Sequence, residues 1–136
     1  MAENQVLKPI PEADEASQPF FDGAMQGRLM LMRCTECGRV RLPSRMHCDD
    51  CLSEAVEWFQ ASGRGTVRTF AVMHQRYHPG FFDELPYNIA IVELAEGPRM
   101  ASNLVGVANA DIRVDMPVMV DWERHSDVAI PKFRPI

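Results

Sequence analysis

Residues 34–51 read CTECGRVRLPSRMHCDDC, and the fold turns on them. Cys34 and Cys37 are separated by two residues, as are Cys48 and Cys51, and ten residues lie between the pairs. A Cys-x-x-Cys segment forms a tight knuckle whose two sulfurs point at one spot, and two knuckles complete a tetrahedral thiolate shell. Gly38 directly follows the first pair and permits the turn that aims backbone amides at the sulfurs. Four thiolates leave no open coordination position, so the expected centre is structural zinc rather than catalytic zinc. Iron fits the same ligands chemically. A redox dithiol of the thioredoxin type needs a βαβ setting that the flanking sequence lacks. A disulfide pair, or a shell that has lost its metal, are the other readings of these residues.

Working outward, two short apolar or alternating runs, Leu29–Arg33 and Arg39–Leu42, flank the first pair, and the second pair follows in a loop. The unit from 28 to 58 holds too few apolar residues for a core of its own and needs a staple. Before it, Ser17 is placed to cap a short helix over 18–26, with Pro19 in the first turn and Gly27 ending it. Phe20, Phe21 and Met25 would share roughly one face, and a helix this short must dock to persist. Residues 1–17 are polar and acidic, with Pro9 and Pro11, and read as a flexible arm. The division expected is therefore arm 1–17, helix and ribbon 18–58, and a β unit 59–136.

That β unit begins at Gly63. Thr66–His74 is β-rich, Ile89–Leu94 and Val118–Glu123 alternate, Arg99–Val107 is a further candidate strand, and Val128–Phe133 would close the sheet. Residues 111–114 read as a short strand or a turn. Gly63, Gly65, Pro79-Gly80, Pro86, Gly97-Pro98 and Pro117 punctuate the runs. About five strands with no helix-length periodic segment between them point to a small barrel such as an OB-fold. The fold class expected is mainly β.

The chain has 136 residues, 46% of them hydrophobic and 24% charged, with a net charge of −5. That supports a packed core and argues against a life on nucleic acid or an anionic membrane, both of which need a basic field. Residues 28–51 carry five arginines and three acids, which four thiolates on zinc bring near neutral; residues 52–136 carry eight basic and eleven acidic groups. No basic stripe with interleaved aromatics emerges. The longest apolar runs, such as Leu29–Met32, have four residues, where a membrane helix needs about 20. The N-terminal stretch lacks an apolar signal region, so a reducing cytoplasm is expected, where metal binding is favoured over disulfides.

Other constellations are weaker. His47 abuts Cys48 and could stand in as a ligand, but four cysteines suffice. His74 and His78 would share a face if both lay on a strand, as a second metal site or acid–base pair; a polar strand end is the plainer reading. The loop Tyr77-His78-Pro79-Gly80-Phe81-Phe82 crowds aromatics where they either pack back on the barrel, line a ligand channel or meet a partner.

Taken together, PFFDGAMQGRLMLMRCTECGRVRLPSRMHCDDC, WFQASGRGTVRTFAVMH, PYNIAIVELAEGPRMASNLVG, MPVMVDWE and PKFRP resemble an acyl-CoA-associated family. It joins an N-terminal helix, a rubredoxin-like zinc ribbon and an OB-fold, and is catalogued as domain of unknown function thirty-five. The resemblance spans about residues 18–135. There are departures. Leu42-Pro43-Ser44-Arg45 stands where the family usually has a double proline and arginine, and Asp115 stands where it usually has glycine; aspartate tolerates turn conformations. The resemblance implies a non-catalytic accessory subunit. Its partner would be a thiolase-fold enzyme that performs acyl transfer, condensation or cleavage, and the chain would bridge subunits and help shape an acyl-CoA site. Phe20, Phe21, Tyr77, Phe81 and Phe82 are candidates to meet the acyl chain or the partner. Arginines such as Arg28, Arg45, Arg64 or Arg76 are candidates for phosphate, against the plainer reading of solvated surface charge. The alternatives are a stand-alone OB module for single-stranded nucleic acid and a small enzyme using His74 and His78.

Overall fold

The structure is a computed structural model that describes residues 8–43 and 45–136, so the first seven residues of the expected arm lie outside the described residues. The first element is α1 (Gln18–Met25), bounded where the sequence places it. Ser17 does not cap it by its side chain. Its hydroxyl instead accepts the Asp14 N–H at 3.0 Å and donates to Asp14 Oδ1 at 2.7 Å. Gly27, at φ +73°, stops the helix, and the Arg28 N–H reaches back to the Gly23 carbonyl at 2.8 Å. A Cβ at Gly23 would come within 2.4 Å of Met30 Cγ, so only glycine lets the helix lie this close to the strand that follows. Phe20 packs against the core, whereas Met25 stays 40% exposed; the aromatic anchors the helix and the methionine does not.

Three strands form the ribbon sheet: β1 (Met30–Cys34), β2 (Val40–Arg41) and β3 (Val56–Gln60), in the order β2-β1-β3. β1 and β2 occupy the two runs expected beside the first cysteine pair. β3 is an addition to the sequence reading. It pairs with β1 from Met30 opposite Gln60 to Cys34 opposite Val56, and it runs through positions 58 and 59.

The remaining strands are β4 (Arg64–Met73), β5 (Tyr87–Leu94), β6 (Arg99–Ser102), β7 (Pro117–Arg124) and β8 (Ala129–Pro135), in the order β6-β5-β4-β7-β8. The strand expected over 99–107 ends at Ser102, because the chain there leaves β5 and crosses to β8. Leu104 pairs with Phe133 in parallel. The Phe133 N–H donates to the Asn103 carbonyl at 3.0 Å, and the Val105 N–H donates to the Phe133 carbonyl at 2.8 Å. That seam closes the curled sheet on itself in the manner of an OB-fold. Asn109–Asp111 is a 3-10 turn, so residues 111–114 take the turn reading rather than the strand one.

Val67, Ala90, Val92, Val118 and Phe133 are fully buried at the centre of the barrel. Leu29 and Leu31, from the ribbon side, belong to the same cluster. Ribbon and barrel therefore share one core. No helix among the described residues is long and apolar enough to cross a membrane.

Candidate metal centre and the faces around it

The two Cys-x-x-Cys segments fold alike. In the first, the Cys34 N–H donates to the Arg39 carbonyl and the Gly38 N–H returns to the Cys34 carbonyl, both at 2.8 Å. In the second, the Cys48 N–H donates to the Ser53 carbonyl and the Leu52 N–H returns to the Cys48 carbonyl, both at 3.0 Å. Gly38 at φ +81° and Leu52 at φ +62° hold equivalent places, four residues after the leading cysteine. Glycine meets the left-handed turn without strain; leucine does not. Cys34 and Cys48 are buried, while Cys37 and Cys51 face outward.

The four sulfurs lie within 4.8 Å of one another. Cys34 and Cys51 are 3.5 Å apart, as are Cys37 and Cys48. A disulfide needs about 2.05 Å, so neither pair is bonded. A tetrahedron with zinc–sulfur bonds of about 2.3 Å has edges of about 3.8 Å, which these spacings approach. The donor set fits a structural metal site. His47 lies outside this set of sulfurs and pairs with Glu54 at 3.1 Å.

The electrostatics agree with that fit. The Cys37 N–H, against burial and with help from the Glu36 N–H, brings the Cys34 thiol down to about 6. The Cys51 and Asp50 N–H groups lower Cys48 in the same way. The Arg39 N–H also favours the Cys37 thiolate, but the Cys48 side chain and burial outweigh it and push Cys37 up to about 12. Cys51 is raised similarly, its Ser53 N–H outweighed by Cys34 and burial. In each knuckle the backbone amides favour the thiolate at the leading cysteine, and the neighbouring sulfurs and burial disfavour it at the second. A divalent cation removes that repulsion and takes all four as thiolates.

The other candidate residues fall on separate elements. Phe20 and Phe21 meet edge to face at 5.2 Å on α1. They line shallow apolar grooves with Pro11, Leu42, Pro43, Met100, Ile130 and Pro131. Phe81 and Phe82 are half-buried in a 3-10 turn, Pro79–Glu84. Phe81 packs on His78 and Tyr87, and Arg76 stacks over Phe82. Tyr77 stays 71% exposed. Arg45 is exposed beside Asp49, on the ribbon. β4 ends at Met73, so His74 and His78 are not on one strand face; His78 Nδ1 instead accepts the Gly80 N–H at 2.9 Å.

The Phe81 side opens into a cavity of about 500 Å³ that also contains Tyr87, Asn103 and Lys132. The Phe20–Phe21 groove borders the same Ala101–Asn103 stretch and Lys132, so the two aromatic groups flank one seam of the barrel. Lys8 of the arm crosses the cavity side, pairing with Glu84 at 3.1 Å and Glu123 at 3.3 Å over the Phe81 ring.

Sequence reasoning missed Asn88. This buried side chain accepts the Leu104 N–H at 2.6 Å, donates to the Leu104 carbonyl at 2.9 Å, and donates to Asn109 Oδ1 at 3.1 Å. It holds the barrel seam where β6 has stopped. An asparagine inside an alternating strand was the available signal, since a buried amide must find partners.

Comparison with known proteins gives the lineage. Residues 21–57 match the rubredoxin-like zinc ribbon domain of ChsH2, and residues 58–123 match its C-terminal OB-fold domain. A DUF35 domain-containing scaffold protein of Methanocaldococcus jannaschii is 36% identical over 97 residues, covering 71% of this chain and 68% of that one. The chain belongs to the DUF35 family. A solved DUF35 structure, in the Ltp2-ChsH2(DUF35) aldolase, superposes with a TM-score of 0.82 at 38% identity, covering 93% of this chain and 98% of its counterpart. A probable enoyl-CoA hydratase alpha subunit of Thermomonospora curvata is 39% identical over 132 residues. The match takes 96% of this DUF35 chain but 41% of that relative, so the chain spans about two fifths of its length.

Proposed function

We propose that this chain is a non-catalytic scaffold subunit of an acyl-CoA-processing complex, seated on a catalytic partner of thiolase fold. The observation that carries the reading is the match of 93% of this chain to 98% of a chain of the Ltp2-ChsH2(DUF35) aldolase. The scaffold naming of the archaeal relative and the acyl-CoA naming of the hydratase relative support it from two sides. The metal centre supports it as well. A set of four thiolates fills a tetrahedral shell, and a filled shell orients the chain rather than activating substrate. Zinc is the metal proposed, held by Cys34, Cys37, Cys48 and Cys51.

On this reading the partner performs the acyl transfer, condensation or carbon–carbon cleavage. The aromatic groups Phe20–Phe21 and Tyr77, Phe81 and Phe82 lie against the partner or the acyl chain, and the protein works in the cytoplasm. Aromatic side chains on both flanks of one seam make a surface that binds by apolar contact with few ordered polar groups.

The test is purification of the tagged chain from its own organism, followed by native mass measurement and identification of what accompanies it. The expected result is a thiolase-fold enzyme in fixed ratio, whose turnover falls when this chain is removed. A partner that keeps full activity alone, or a lone metal-loaded monomer, overturns the proposal.

A further inference from the structure

The chain has twelve arginines but two lysines, Lys8 and Lys132, and the fold brings both lysines to one cavity. It is the cavity of about 500 Å³ beside the barrel seam, walled by Phe81, Ile89 and Val107 on its apolar side and by Asn88, Asn103 and Lys132 on its polar side. A site of this size, with apolar walls and a few convergent polar groups, suits a small organic molecule. The two amines stand in opposite surroundings. Lys8 is tied to Glu84 and Glu123, whose hydrogen bonds and charges hold its pKa above the usual value against burial. Lys132, half-buried on β8, forms no ion pair among the described residues. Its Nζ donates to Asn103 Oδ1, and the Asn103 amide is turned that way because its Nδ2 donates to the Asn88 carbonyl. An amide oxygen accepts from a neutral amine as well as from an ammonium, whereas a carboxylate there would hold the charge. Burial pushes Lys132 below its usual pKa; Glu123 and Glu84 oppose the change, and the Lys8 charge adds to it. A lysine that is desolvated and set near another cation is the kind that reacts as a nucleophile. Two ammonium groups and two carboxylates stand around the cavity, so it has no net charge with which to draw in an anion. What Lys132 offers is an amine.

We propose that Lys132 holds a small uncharged aldehyde or ketone in this cavity as a reversible imine. The Nζ lone pair forms a bond to the carbonyl carbon, and the carbonyl π pair moves to oxygen. Both Nζ protons of the neutral amine leave with that oxygen as water, and a carbon–nitrogen double bond remains. Glu123 lines the same cavity and lies 3.0 Å from His125, so a carboxylate and an imidazole stand near to carry the protons. Hydrolysis reverses each step, so the compound is held and released without another reactant. The site depends on Lys132 and its walls and stands apart from the scaffold reading.

The test uses the full, metal-loaded chain with butanal and, separately, cyclohexanone, each with cyanoborohydride present to reduce any imine to a stable amine. Mass spectrometry of the intact chain and of its peptides reads the label at each amine, with the α-amino group scored apart. Lys132 should be labelled saturably and about tenfold or more faster than Lys8, since the surroundings of one disfavour its charge and those of the other favour it. Lys132→Arg keeps the cation and should lose the label with an unchanged Tm. Asn103→Asp puts a carboxylate against the amine and should slow labelling of Lys132 severalfold. The ratio of Lys132 to Lys8 is measured in the unaltered chain, so neither variant has to fold for the proposal to be refuted. Capture of butanal alone assigns an aldehyde and capture of cyclohexanone assigns a ketone; both support the site. Equal rates at the two lysines, labelling that rises without saturation, or an unchanged rate in folded Asn103→Asp overturns it.

Discussion

Replacing Leu52 by glycine should stabilise the metal-loaded protein. Leu52 sits at φ +62° in the second knuckle, where the first has Gly38 at φ +81°. The left-handed region costs an L-residue about 1–2 kcal/mol. The Leu52 side chain is 73% exposed, so deleting it forfeits little burial. Glycine loses more backbone freedom on folding, which returns about 0.5–1 kcal/mol of that gain. The balance is a gain of about 0.5–1 kcal/mol, or a rise of about 2–4 °C in Tm for a domain of this size. The turn forms as the knuckle closes on its metal, so the same energy should appear as zinc binding about two- to fivefold tighter. The reciprocal change, Gly38→Leu, should by the same balance cost about 0.5–1 kcal/mol. Calorimetric Tm of the loaded protein and competition against a chelator read both. A lower Tm for Leu52→Gly would refute the reasoning, because leucine packing would then outweigh the backbone strain.

Three further outcomes follow from the geometry. Asn88→Ala strands the Leu104 N–H and carbonyl inside the seam; at about 1–3 kcal/mol per stranded group the cost is about 2–6 kcal/mol, and the urea midpoint should fall by about 1–3 M. A shift under about 0.5 M would mean water replaces the amide. Asp115 stands at φ +70°, so Asp115→Gly should match or exceed wild type in thermal unfolding, whereas Asp115→Val should lose about 1–2 kcal/mol. Burial disfavours the Glu123 carboxylate, but the His125 hydrogen bond and the ammonium groups of Lys132 and Lys8 outweigh it and hold its pKa below the usual 4.5. A depressed carboxylate contributes stability above its unfolded pKa and loses it as pH falls through the folded value. Glu123→Gln should therefore flatten the acid limb of a Tm-against-pH curve below about pH 4.5, and curves that stay parallel would count against the pairing.

The metal shell and most strands were legible because their signals are local. Four cysteines at fixed spacing, and alternation in Ile89–Leu94 and Val118–Glu123, require no knowledge of the rest of the chain. Asp115 was legible too, as an aspartate standing at a glycine place, and the structure puts it at positive φ. What escaped depends on distant partners. β3 reads as the tail of a cysteine loop until β1 arrives beside it, 22 to 30 residues away in sequence. The end of β6 at Ser102 is set by Phe133 and Asn88, not by any breaker in 103–107. The burial of Arg41 is invisible in a sequence with five arginines between 28 and 51, since only packing decides which of them loses its water.

The metal and the aromatic face are mechanically joined, and that connection makes a testable difference. Cys34 ends β1; Leu31 within β1 and Leu29 just before it lie in the barrel core. α1 lies on the same strand through Gly23 and carries Phe20 and Phe21. A closed metal shell thus pins one end of the strand whose other end seats the helix. Opening the shell lets the ribbon hairpin fray, and the freedom gained there reaches the orientation of α1. Cys48→Ala should therefore lose its metal, read as metal per chain, and also bind the partner proposed for it more weakly at temperatures where the barrel remains folded. Full metal content in that variant would overturn the four-cysteine assignment. Lost metal with unchanged partner affinity would leave the shell as a staple for the ribbon alone and break the link from metal to helix.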